Sequence, residues 1–300
     1  MTRPRLAHVL NPVAGDEARW LMKTQRVTFE AIRRAMLFTE AVRPELAPEL
    51  LCAVFDEDRP AVPSFTSREI PLERSLLDLT DAKPRRKLPL IRDVFEGAAE
   101  HTDAEYLIYT NLDIGPQPFF YELIDRLLRD HPGGFGLTRR LIDKSPIEPD
   151  EIALMYCQVG ARSYGVDTFV FPREAVASFE LGDLVLGLPL IENAILCNID
   201  QACGYGSTLY KYTHAVFHHG DDAPWKEQDT LSAWSIERVR AAIRALIERD
   251  RSFPAGGLFD RWQAHALQVT PKSKHPLRRF LSGLGNKQRI PEPFRIEKER

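Results

Sequence analysis

The sequence predicts an α/β protein: a doubly wound, mostly parallel sheet flanked by helices, followed by a C-terminal helical and irregular extension. Three observations predict it. Short apolar runs of strand length alternate with longer stretches whose apolar residues recur at helical spacing. The runs end abruptly in Asn, Asp, Gly or Pro, which stop a strand and open a turn. Polar residues gather at those ends, where an open α/β sheet receives its ligands.

The first strand is read at 6–10 and is broken by Asn11-Pro12. A helix is expected over 16–42, with Trp20, Leu21, Ile32, Met36 and Leu37 available for a core face. A second strand at 50–55 ends in the acidic cluster Asp56-Glu57-Asp58. Residues 61–87 read as a long loop with a helical turn near 76–79 and a compact basic run, Lys83-Pro84-Arg85-Arg86-Lys87. A helix over 88–100 leads to the aromatic and β-branched strand 106–109, which stops at Asn111-Leu112-Asp113. A helix follows from Pro118. Gly133-Gly134 resets the chain before a strand at 135–142 carrying Arg139 and Arg140. Residues 148–159 are weakly helical, 165–171 are a strand, and 187–196 place Glu192 early in an apolar helix. A His-rich, strand-like segment over 209–219 precedes a charged amphipathic helix at 227–250 and a basic tail from 271. We divide the chain at 225: a main α/β unit over 1–225, and the helical extension and tail over 226–300.

With 300 residues, 44% hydrophobic and 28% charged, the chain can bury a sizeable core. A net charge of −3 gives no reason to expect a nucleic-acid partner. The four cysteines lie far apart or in apolar runs, without zinc spacing. No apolar window is long enough to span a membrane, and no signal-peptide core is present. These features point to a cytoplasmic protein. The basic tail leaves open contact with the inner membrane face, a second subunit or water.

Asn111 and Asp113 stand two apart at the end of an extended run, so both can turn to one cation or one ribose. Hard oxygen ligands suit magnesium or manganese, ions commonly shared with a substrate's phosphates. The competing reading is a strand end whose Asp caps the next helix. Three of the eight histidines, His214, His218 and His219, fall within six residues. In a strand His214 and His218 share a face, and an imidazole completes an ordinary divalent-ion site with a carboxylate. Glu192 is a candidate base if its helix end faces the cleft; otherwise it only complements the helix dipole.

The order of four stretches, 106–114 (Tyr-Leu-Ile-Tyr-Thr-Asn-Leu-Asp-Ile), 165–171, 187–192 and 214–225, resembles the GT-A nucleotide-diphospho-sugar glycosyltransferases over roughly 6–225. The resemblance implies a nucleotide-sugar donor, a saccharide or other hydroxyl acceptor, and divalent manganese or magnesium. Asp113 would match the last acid of the family's Asp-x-Asp motif. Asn111 stands where the family usually has its first acid. Asn11, Pro12 and Asp56 would line the nucleotide pocket, with Arg86 or Lys87 near the phosphates or bracing Asp113. Gly165 and Asp167 would lie on the acceptor side, Glu192 would be the general base, and His214 or His218 a metal ligand. Two other readings are a non-catalytic nucleotide-sugar-binding module and a metal-dependent nucleotidyl or phosphoryl transferase.

Overall fold

The structure is a computed structural model that describes residues 4–16, 19–81, 86–220 and 229–268. Trp225, the tail from 271, and residues 82–85 of the basic run lie outside the described residues. The chain runs β1 (Leu6–Leu10), α1 (Trp20–Val42), β2 (Glu49–Val54), β3 (Arg68–Pro71), α2 (Ile91–Glu100), β4 (Tyr106–Thr110), β5 (Gly115–Pro116) and α3 (Phe120–Asp130). It continues through β6 (Phe135–Ile142), α4 (Ile152–Tyr156), β7 (Ala161–Pro172), α5 (Ile191–Ala202), β8 (Thr208–Tyr210), β9 (Val216–His219), α6 (Asp229–Arg249) and α7 (Leu258–Gln268).

The strands form one sheet in the order β3-β2-β1-β4-β7-β6-β9-β5, with β8 beside β6. β1 pairs in parallel with β2 and β4, and β2 with β3, while β7 is antiparallel to both β4 and β6. The mostly parallel α/β sheet expected from the sequence is therefore present. Because β1, β2 and β4 are parallel and in register, their carboxyl ends lie side by side and set Asn11 and Asn111 on one edge.

Alternation along the strands divides the core between two faces. Ala7, Val9, Leu51, Ala53, Leu107 and Tyr109 pack with α2, α5, α6 and α7 in the largest apolar cluster. Leu6, Ile108, Phe135 and Val170 face the α3 side, and Leu10, Leu50, Cys52 and Val54 pack on α1. His8 is sealed in the second face, with Nδ1 2.9 Å from the Tyr121 hydroxyl and Nε2 2.8 Å from Thr110 Oγ1. Burial holds its pKa down to about 3, so it is a neutral core residue.

β3 sits within the stretch read as a loop. Its sequence, Arg-Glu-Ile-Pro, buries only Ile70, the sparse pattern of an edge strand ending in proline. The single His-rich strand is instead two short ones, β8 and β9, both beside β6. α6 and α7 contribute Ile236, Val239, Ile243, Leu246, Phe259 and Ala266 to the same core as the sheet. The described part of the extension is thus fastened to the main unit.

Candidate functional site

Three stretches converge at the carboxyl end of β4. After Thr110 the chain makes a turn, closed by Ile114 N–H donating to Asn111 O at 3.3 Å. The next two residues, Gly115 and Pro116, pair antiparallel with Phe217 and Val216 of β9. A side chain at 115 cannot be accommodated: its Cβ would lie 2.3 Å from the Phe217 ring. This pairing carries Asp113 to His218, whose Nε2 is 3.1 Å from Asp113 Oδ2. The Asp113 side chain is 31% exposed and that of His218 only 5%, so the carboxylate opens to solvent while the imidazole is lodged behind it. Phe119, not Asp113, caps α3, which removes the helix-capping reading of the aspartate.

His218 Nδ1 lies 2.8 Å from Gly220 O and donates to it, which leaves Nε2 facing Asp113. Burial works against charge on both groups. It is outweighed in each: Asp113 is held below the usual carboxylate range by the hydrogen bond and charge of His218, and His218 is raised by those of Asp113. Without another cation, the two form a carboxylate–imidazolium pair.

Behind this pair stands a polar chain. Tyr109 hydroxyl donates to Asn111 Oδ1 at 3.0 Å, Asn111 Nδ2 donates to Asp167 Oδ1 at 2.8 Å, and Arg139 Nη1 donates to Asp167 Oδ2 at 2.6 Å. Its root is in the core, where the Tyr109 ring packs against Phe95 and Phe169 with centroids 5.4 and 6.2 Å away. Arg139 lies over Gly165, where a Cβ would come within 2.9 Å of the guanidinium carbon. Glu192, in the first turn of α5, is within electrostatic reach of Asp167 and Arg139. Burial, the larger cause, together with Asp167 pushes its carboxyl up to about 7.

Asp113, His218, Asn111, Asp167, Gly165 and Glu192 are thus brought together. His214 is not: its Nε2 lies 3.0 Å from Gln117 Nε2, because it precedes β9 rather than sharing its pleat with His218. His219 turns to the other side, edge-on to the Trp20 ring at 6.3 Å. Lys87 braces Glu57 at 2.6 Å and lies 4.2 Å over the Phe55 ring, so it does not brace Asp113. Arg86 is exposed. Asp56 is 90% exposed with Arg59 3.5 Å away. Asn11 donates Nδ2 to Ala53 O at 2.7 Å, which ties the ends of β1 and β2. Beyond Pro12, Gln25 grips Val13 by both its N–H and its carbonyl at 3.0 Å, and Asp58 accepts from Ala14 N at 2.7 Å. Val13 and Ala14 of the loop after β1 are therefore held by side chains of α1 and of the turn after β2.

Arg139 and Tyr109 were missed as site residues. Two consecutive arginines inside a strand that begins and ends apolar are the signal that could have found the first. Among the described residues no group of three acids, histidines or cysteines encloses a metal. The donor set of Asp113 and His218 nonetheless fits a divalent ion: one carboxylate and one imidazole with a fixed tautomer supply two neighbouring positions. Their 3.1 Å separation is close to the edge of an octahedron with bonds of about 2.1 Å.

No family model and no curated protein matches the chain. Among solved structures it is similar to glucosyl-3-phosphoglycerate synthase from M. tuberculosis, with 15% identity, a TM-score of 0.46, and 84% of this chain and 83% of that one covered. It is likewise similar to mannosyl-3-phosphoglycerate synthase from Rubrobacter xylanophilus, with 14% identity, a TM-score of 0.46, and 84% and 77% covered. A third is TarS from S. aureus, solved with UDP-GlcNAc, with 8% identity, a TM-score of 0.41, and 93% and 80% covered. The chain's own sheet order shows the mostly parallel, helix-flanked α/β architecture that the sequence predicts. No helix among the described residues is long and apolar enough to cross a membrane.

Proposed function

We propose that the protein is a glycosyltransferase that moves a sugar from a nucleotide-diphosphate donor to an acceptor hydroxyl, with a divalent ion held by Asp113 and His218. The observation that carries the reading is the meeting of Asp113 and His218 at the carboxyl edge of the sheet, with the Asp167–Arg139 pair that acts on Glu192 beside them. Magnesium or manganese there would offset the charge that develops on the leaving diphosphate, which itself would complete the ion's coordination.

The chain's own groups do the rest. Asp113 presents an open carboxylate, and His218, pinned by Gly220 O, presents Nε2 without having to be oriented. Asn111 has its amide nitrogen on Asp167 and its oxygen on Tyr109, so it fixes the turn and Asp167 rather than standing in for the missing acid. Glu192, its carboxyl pushed up to about 7, suits a base that takes a hydroxyl proton near neutrality. Asn11, Pro12 and the pinned residues Val13 and Ala14 form the nucleotide side of the edge, with Asp56 at its rim.

Thermal unfolding of the full chain with UDP-, GDP-, CMP- and dTDP-linked sugars, each with and without manganese, tests the reading. A donor that binds the folded state alone raises the midpoint. Turnover should release a free nucleoside diphosphate. Pyrophosphate release would mark a nucleotidyl transferase, and binding without turnover a non-catalytic module.

A further inference from the structure

Next to Arg139 in β6, Arg140 turns to a different set of groups. It is the register partner of Arg162 across the antiparallel β6–β7 pair. Like charges directly opposite one another destabilise a sheet. Among the described residues no carboxylate lies at ion-pair distance from either guanidinium.

The pair is nevertheless held firmly in place. Arg140 Nε donates to Val159 O at 2.8 Å and Nη2 to Gly160 O at 2.5 Å. Gly160 has φ +65°, and a Cβ there would lie 2.5 Å from Leu141 O, so only glycine presents that carbonyl. The Arg162 guanidinium lies 4.8 Å over the Tyr212 ring, and Tyr164 meets Tyr212 edge-on at 6.0 Å. Tyr212 is itself left-handed, with φ +65°, and its N–H donates to Thr138 Oγ1 at 3.0 Å. Tyr164 and Tyr212 keep 39% and 37% of their surface exposed. Burial and then Arg162 lower the Arg140 pKa, and burial and then Arg140 lower that of His214. The positive potential of the patch is therefore unbalanced.

Opposed like charges, a partly desolvated guanidinium and a left-handed aromatic residue gather in one exposed patch, held by hydrogen bonds and a ring contact but with no carboxylate to balance the two cations. Strain kept in place in this way marks a site. We propose that Arg140 and Arg162 seat the phosphate or carboxylate group of a small molecule, with Tyr164 and Tyr212 as its aromatic walls. Arg140, with Nε and Nη2 held by the two carbonyls, keeps the donors of Nη1, and Arg162, stacked on Tyr212, keeps its guanidinium edges; one doubly charged group relieves both cations. The site is built from residues other than Asp113, His218 and Glu192, so it stands whether or not sugar transfer does.

The test is thermal unfolding of the full chain titrated with inorganic phosphate in one arm and malonate in the other, against sodium chloride of matched ionic strength. Wild type should be stabilised by at least one oxyanion beyond the salt control, and the effective arm names the class. Arg162→Gln should weaken the apparent affinity at least tenfold with an unchanged far-UV spectrum. Arg162→Glu sets an acid opposite Arg140; it should raise the midpoint without any anion and abolish the response. Asp113→Ala should leave the response intact, which separates this site from the donor site. Equal stabilisation of wild type and both Arg162 variants, no response to either anion, or a lowered midpoint for Arg162→Glu in chloride would each overturn the proposal.

Discussion

The amide of Asn111 donates to the carboxylate of Asp167 at 2.8 Å, joining the end of β4 to a residue 56 positions further on. The amide at 111 is thus paired with an acid on the neighbouring antiparallel strand β7. Asn111→Asp therefore replaces a donor by a second carboxylate at hydrogen-bond distance from Asp167. We expect a loss of about 1–3 kcal/mol of folding stability at pH 8, shrinking toward pH 5 as the two acids share a proton. Urea denaturation at the two pH values checks this, and equal midpoints for variant and wild type would contradict it.

Asp113 is open to solvent, so its truncation should spare the fold. Asp113→Ala is expected to lower manganese-dependent nucleoside-diphosphate affinity at least ~100-fold, beyond the range typical for changes in groups that merely orient a ligand. Titration calorimetry reads it, and an unchanged dissociation constant would remove Asp113 from the site.

His218 must lose its proton to bind an ion, and Asp113 raises its pKa above the ordinary imidazole range. Metal-dependent nucleotide affinity should therefore climb with pH through neutrality and fall in mild acid. In His218→Ala the remaining affinity should be weaker and nearly flat between pH 6 and 8. A slope equal to that of wild type would show that another group governs the binding.

Glu192 acts as a base only when ionised, so the rate should rise with pH through about 7 and then level off. Glu192→Gln should reduce it by ~10²–10⁴. The stability effect has the opposite sign. The folded pKa exceeds the unfolded value of about 4.3, so this group's stabilisation is complete below that pH and is lost as pH rises toward 7. The Gln variant should show less of this decline. A pH profile with no ascending limb near neutrality would dismiss Glu192 as base.

Gly165→Ala places a methyl 2.9 Å from the Arg139 guanidinium carbon, the far end of a flexible side chain that can move aside. Stability should fall by about 1–3 kcal/mol as Arg139 leaves the largely buried Asp167, and donor binding should fall with it. A variant that binds as well as wild type would make Gly165 a packing detail only.

Much of this site was legible in the chain. Asp113 follows an unmistakable buried strand, and the His-rich segment offered His218 as its partner. Glu192 was placed by the apolar helix behind it. The tie between Asn111 and Asp167 was not readable, since register between strands distant in sequence is a tertiary fact. His214 and His218 looked equivalent because alternation was assumed through 214–219, whereas β9 begins only at Val216. β3 escaped notice because an edge strand with one buried residue carries almost no period-two signal.

The two-residue strand Gly115–Pro116 has a consequence for how the protein could diversify. Because it is laced to β9 beneath the Phe217 ring, the aspartate and the histidine are spaced by one rung of the sheet and not by a pliable loop. Inserting or deleting a residue between 110 and 115 would uncouple them at once, whereas the rim around Tyr164 and Tyr212 is free of that constraint. Descendants of this chain can therefore alter their outer rim while keeping the inner pair unchanged.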